Sequence, residues 1–164
     1  MEKIKLEVAE KVANDVIDYL RPMCERIEIA GSIRRKKPTV HDIDIVALPN
    51  PEYCFKNLQE ILEDKGAETV LSGNKLIKQN FRGVQVDIYG ATENNFEVIF
   101  LIRTGSAEHN KLLCQKAIAK GLRLKFDLGL MSVAGQGQNI VANTEEGILS
   151  YLFGAFIPPE KREV

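Results

Sequence analysis

Long apolar runs, paired cysteines and a basic surplus are all missing from this chain of 164 residues. No stretch of about 18 apolar residues occurs, so no membrane span is expected. Met1-Glu2-Lys3-Ile4-Lys5 lacks the apolar core of a secretion signal, which points to the cytoplasm. The three cysteines, Cys24, Cys54 and Cys114, are scattered and odd in number. That argues against a disulfide framework or a Cys-x-x-Cys metal site, and each reads as a small buried apolar side chain. The two histidines, His41 and His109, fall in different elements with no third ligand nearby, so a zinc site is not expected. Net charge is −1, whereas a dedicated duplex binder carries a strong basic excess. Nucleic-acid contact would have to come from local patches: Arg34-Arg35-Lys36-Lys37, or Lys111, Lys116, Lys120, Arg123 and Lys125. Walker A, Gly-x-Ser-x-Gly and Gly-x-Gly-x-x-Gly patterns are absent. Gly135-Gln136-Gly137-Gln138-Asn139 reads as a hairpin loop.

What is present fits an ordinary folded domain, 45% hydrophobic and 27% charged. Ile4, Val8, Val12, Val16, Ile17 and Leu20 recur at three and four and predict an amphipathic helix closed by Pro22. Arg26 to Ala30 reads as a strand running into a Gly31-Ser32 turn, and residues 43 to 48 as a second strand. Helical spacing returns over 53 to 65. Short strands flank Ser72-Gly73-Asn74, and Phe81-Arg82-Gly83 is a turn before the clear strand 84 to 89. Residues 94 to 103 read either as a helix or as a buried strand. Ser106 caps a helix over 107 to 120, a hairpin spans Leu122 to Val133, and Thr144 caps a short last helix. Helices mixed with antiparallel-type strands indicate an α+β fold.

The chemistry concentrates in residues 31 to 46. Asp42 and Asp44, two apart at the start of a strand, would project side by side. Adjacent carboxylates repel unless a cation lies between them, and hard oxygen ligands suit Mg²⁺. Nucleotidyl transfer by two metal ions takes about three carboxylates. Asp87 is the best third, because it lies in a strong strand on the face of polar Gln85 and would be awkward if buried unpartnered. Gly31-Ser32 would cradle phosphate through backbone N–H groups and a hydroxyl, and Arg34 or Arg35 would clamp a triphosphate.

Four blocks, in order, resemble the catalytic region of the family X DNA polymerases, the group that includes DNA polymerase beta. They are Gly31-Ser32-Ile33-Arg34-Arg35 with Asp42-Ile43-Asp44; Val86-Asp87; Thr104-Gly105-Ser106-Ala107-Glu108-His109-Asn110; and Glu145-Glu146 through Ile157-Pro158-Pro159-Glu160-Lys161-Arg162. The resemblance implies a nucleotidyltransferase palm, a mixed sheet with flanking helices over 1–92, and a small, mostly helical nucleotide-binding lobe with a short hairpin over 93–164. It implies an enzyme adding nucleotides to a 3′-hydroxyl, in gap filling or short extension during DNA repair. Asp42 and Asp44 would bind two Mg²⁺ ions (Mn²⁺ able to substitute) and Asp87 the catalytic one. Ser32 and Arg35 would hold the triphosphate, Gly105 and Ser106 would lie against the sugar, and Asn110 would reach the base. The implied partners are a nucleoside triphosphate, primer-template or gapped DNA, and an accessory DNA-binding protein. Three positions depart from the family pattern. Ile102 and Arg103 replace the aromatic pair that crowds a ribose, so sugar selection is expected to be weak. Cys114 stands where a template-probing Arg is usual. The chain is also expected to begin at the palm, with neither a lyase domain nor a helix-hairpin-helix clamp. Two other readings remain: a nucleotidyltransferase acting on a protein, RNA end or small molecule, or a catalytically silent binding module.

Overall fold

The structure is a computed structural model that describes residues 2–133 and 139–163. In chain order the elements are β1 (Ile4–Lys5), α1 (Leu6–Leu20), β2 (Cys24–Ile29), α2 (Gly31–Arg34), β3 (Thr39–Val40), β4 (Asp42–Pro49), α3 (Phe55–Asp64), β5 (Glu68–Ser72), β6 (Leu76–Phe81) and β7 (Val84–Gly90). They continue with α4 (Phe96–Thr104), α5 (Ala107–Ala119), β8 (Leu122–Lys125), β9 (Gly129–Ser132), β10 (Ile140–Ala142) and α6 (Glu145–Phe153). Single 3₁₀ turns, Arg21–Met23 and Pro159–Lys161, follow α1 and α6. The expected α+β fold is what forms. Except for Asn139, the glycine-rich hairpin loop lies outside the described residues.

Five strands form one mixed sheet in the order β2-β4-β7-β6-β5, with β4 and β7 parallel and the other pairs antiparallel. One face is apolar. Ile43, Ile45, Ile77, Val86 and Ile88 pack with Val12, Val16 and Leu20 of α1 and Leu58 and Leu62 of α3 into one core. These side chains are fully or almost fully buried, and each contributes roughly 1.5–3 kcal/mol by leaving water. Strand alternation sends Asp42, Asp44, Val46, Asp87 and Tyr89 to the other face. There α4 covers one end, where Phe96 and Phe100 pack on Val46 and Ala30. At the other end Asp42 and Asp44 are half-buried and Asp87 is buried.

The segment 94 to 103, readable two ways, is helical. Its residues Val98, Leu101 and Ile102 join Leu113, Ala117, Ile148, Leu149 and Leu152 in a second core. Burial from more than one side gives α4 its nearly continuous hydrophobicity and erases the periodic signal. The C-terminal hairpin β8–β9 gains a third strand, β10. Two pairings were not expected: the two-residue strands β1 and β3 join antiparallel, with Ile4 opposite Val40 and Lys5 opposite Thr39. Gly31-Ser32 begins a four-residue helix instead of a free turn.

Candidate active site

The parallel register of β4 and β7 sets Asp42 opposite Gln85 and Asp44 opposite Asp87. Sequence spacing and sheet pairing together therefore bring three carboxylates to one face. Asp87 is 3% exposed, while Asp42 and Asp44 are half-buried. Burial raises the Asp44 pKa to about 7, and the charges of Asp42 and Asp87 add to it; a hydrogen bond donated by the Tyr89 hydroxyl and the charge of Arg103 oppose the rise. Asp42 is raised too, by burial first and by Asp87 second. Such crowding of like charge is the electrostatic setting that a cation relieves.

Gly31 fits this corner for two reasons. Its φ is +60°, a region that disfavours side chains. A Cβ there would also stand 2.0 Å from Asp44 Oδ2. The helix start and the carboxylate are in backbone contact, and only hydrogen fits between them.

A pocket of about 400 Å³ opens beside the Asp42–Asp44 pair. Ser32, Arg35, Lys37 and His41 line it, with Lys3 at the chain start. Carboxylates at one side and cations at the other are complementary to a cation-bound polyphosphate. Lys37 belongs to the basic patch 34–37, whereas nothing in the sequence marks Lys3. The pairing of β1 with β3 brings Lys3 there.

The two arginines part company. Arg35 faces the pocket; its Nε donates to Glu163 and its Nη1 to the carbonyl of Thr104. Arg34 points away, lying 3.7 Å from the Phe100 ring centroid. Arg34 Nη1 donates to Thr104 Oγ1 at 2.8 Å, and its guanidinium makes a two-pronged pair with Glu145 at 2.7 and 2.8 Å. Arg162, 0% exposed, completes this cluster with Nη1 2.7 Å from Glu145 Oε1 and bonds to the carbonyl of Ile157. Burial pushes the Glu145 pKa up, but the hydrogen bonds and charges of Arg34 and Arg162 outweigh it and hold the carboxyl below its usual range. Arg34 thus stands outside the pocket as a strut between the sheet lobe and the C-terminal helices.

Gly105 and Ser106 lie across from Arg35. A Cβ on Gly105 would meet Arg35 Nη1 at 3.1 Å. Ser106 spends its hydroxyl on structure: it accepts from the His109 N–H and donates to the carbonyl of Arg162 at 2.7 Å. Asn110 Nδ2 holds the carbonyl of Ile102 at 2.8 Å, leaving Oδ1 buried without a partner among the described residues. His109 is stacked on Phe153 with its pKa pushed down to about 4 by burial and by Arg162 and Arg35, so it is neutral and remote from the carboxylates. Ile102 sits in the second core, and Arg103 stacks on Tyr89 at 4.1 Å.

Asp87 holds the least expected contact. Lys78 Nζ donates to its Oδ2 at 3.0 Å, and Gln85 Nε2 donates to its Oδ1 at 2.9 Å. Among the described residues no group of three acidic, His or Cys side chains is already gathered around one metal position. The donor set itself, three carboxylates on one sheet face with raised pKa values at two of them, suits a hard divalent cation.

Residues 99–163 match the DNA polymerase beta thumb family. Along 168 aligned residues the chain is 28% identical to the DNA polymerase/3′-5′ exonuclease PolX of Bacillus subtilis (strain 168), covering 99% of this chain and 29% of that protein. The chain therefore spans less than a third of the length of that curated relative. Its fold matches Leishmania infantum polymerase beta, solved as a ternary P/T complex, with a TM-score of 0.83 at 20% identity over 99% of this chain and 77% of that one. No helix among the described residues is long and apolar enough to cross a membrane.

Proposed function

We propose that this chain, similar to family X DNA polymerases, transfers a nucleotide from a nucleoside triphosphate to the 3′-hydroxyl of a DNA primer or gap. The observation that carries the reading is the placement of Asp42, Asp44 and Asp87 on one sheet face beside a cation-lined pocket. Asp42 and Asp44 would hold two Mg²⁺ ions, with Mn²⁺ able to substitute, and Asp87 would hold the catalytic one. Those ions supply charge neutralisation and an activated hydroxyl.

The chain's own groups do the rest. Ser32 and Arg35 bind the triphosphate, and the missing Cβ of Gly31 lets Asp44 stand against the turn. Gly105 and Ser106 form the wall for the sugar. Asn110, whose amide is anchored on the carbonyl of Ile102, would reach the nucleotide base. Arg34 contributes by joining the lobes. The two hydrophobic cores support a palm over 1–92 and a nucleotide-binding lobe over 93–164.

The test is primer extension on a single-nucleotide gap, an open primer-template and an unpaired strand, with Mg²⁺ or Mn²⁺. Extension is expected in the wild-type chain and is expected to vanish in Asp87→Ala, while that variant stays folded and still binds nucleotide. Near-normal turnover in Asp87→Ala would overturn the assignment. Extension of none of the strands would move the acceptor to another molecule.

A further inference from the structure

Arg82 and Gly83, with φ of 52° and 78°, form the two-residue turn between β6 and β7. That turn fixes the register Phe81–Val84, Asn80–Gln85, Gln79–Val86 and Lys78–Asp87. Lys78 therefore lies directly across from Asp87, on the same sheet face as all three carboxylates. The order β4-β7-β6 puts Asp42 and Asp44 on one flank of Asp87 and Lys78 on the other.

Both oxygens of Asp87 are engaged, by Lys78 at 3.0 Å and by Gln85 at 2.9 Å. The carboxylate is nearly buried, so it has no water shell to exchange for these donors. Its charge also bears on Asp42 and Asp44, whose pKa values it helps to raise. Lys78 thus occupies one oxygen of the third carboxylate with a fixed positive charge.

We infer that Lys78 is a positioning residue acting through Asp87: an internal counter-ion that competes with a divalent cation for the third carboxylate. The inference rests on the nucleotidyl-transfer reading for its consequence, and on the register and contacts of Lys78 for its content. A divalent ion that uses Asp87 has to displace this contact or bind against its charge.

The test is a titration of the full chain with Mn²⁺ alone, followed by water proton relaxation, in wild type, Lys78→Met, Lys78→Arg, Asp87→Asn and the double variant Lys78→Met/Asp87→Asn. Lys78 is about one-third exposed on its strand, and a thermal melt confirms that each variant folds. Lys78→Met is expected to bind Mn²⁺ about tenfold more tightly, at the low end of coupling between close charges. Lys78→Arg, which keeps the cation, should stay near wild type. In the Asp87→Asn background the Lys78→Met gain should disappear, because the lysine acts through that carboxylate. Unchanged or weaker Mn²⁺ binding in Lys78→Met overturns the inference. So does an equal gain with and without Asp87, which would make Lys78 a generic nearby charge. The expected Mn²⁺ pattern without nucleotide transfer by the wild type would reject the polymerase reading and leave the Lys78 assignment standing.

Discussion

Replacing Asp44 by asparagine should stabilise the metal-free protein, and the gain should depend on pH. Asp44 has its pKa raised from 3.8 to about 7 by burial, Asp42 and Asp87. Between those values the folded state holds more protons than the unfolded state, so stability falls as pH rises through the window. The full shift corresponds to about 4 kcal/mol above pH 7. Solvent still reaches this half-buried group, and screening reduces the figure to about 2 kcal/mol. Asn keeps the shape and removes the charge. Asp44→Asn should therefore gain about 2 kcal/mol at pH 8, a melting shift of roughly 4–8 °C for a chain of this size. By pH 5, where the wild-type carboxyl is largely protonated, the gain should fall below about 1 kcal/mol. Thermal melts in chelator at the two pH values measure both numbers. Added Mg²⁺ should raise the melting temperature of the wild type and leave the variant nearly unmoved. Equal or lower stability of Asp44→Asn at pH 8, or a gain that persists at pH 5, would refute the view that crowded negative charge destabilises this corner.

Two further outcomes are expected. Glu145→Ala leaves Arg162 fully buried and Arg34 largely so without their carboxylate; the loss should be about 3–5 kcal/mol in urea unfolding, and a loss under about 1 kcal/mol would mean that the cluster relaxes into water. Sugar selection should be weak, since Ile102 is taken up by the second core and Arg103 by Tyr89; steady-state extension favouring deoxynucleotides by roughly a thousandfold, about 4 kcal/mol, would show that another group excludes the ribose.

How legible these features were in the sequence follows from the range of the interactions. Asp42 and Asp44 were readable because two residues of one strand share a face, whatever the strand pairs with. Their meeting with Asp87 needed only the adjacency of β4 and β7. Lys78 was also within reach: counting back from the Arg82-Gly83 turn puts it opposite Asp87. Arg34 was not readable. Which of two neighbouring arginines faces the pocket depends on Glu145, whose position is set by the packing of α6 against α4 and α5. The two-residue strands β1 and β3 are too short to show alternation, and α4 lost its period because several of its faces are buried.

The Arg34–Glu145 pair spans 111 positions and the Arg35–Glu163 pair 128. During synthesis both arginines leave the ribosome long before their partners exist. The five-stranded sheet can pair by residue 90, yet the two arginines stay unanchored until residues 145 and 163 have emerged. Long-range closure of this kind is slow compared with local folding. The chain is therefore expected to pass through a state with a formed sheet and an unset pocket, in which binding competence follows sheet formation.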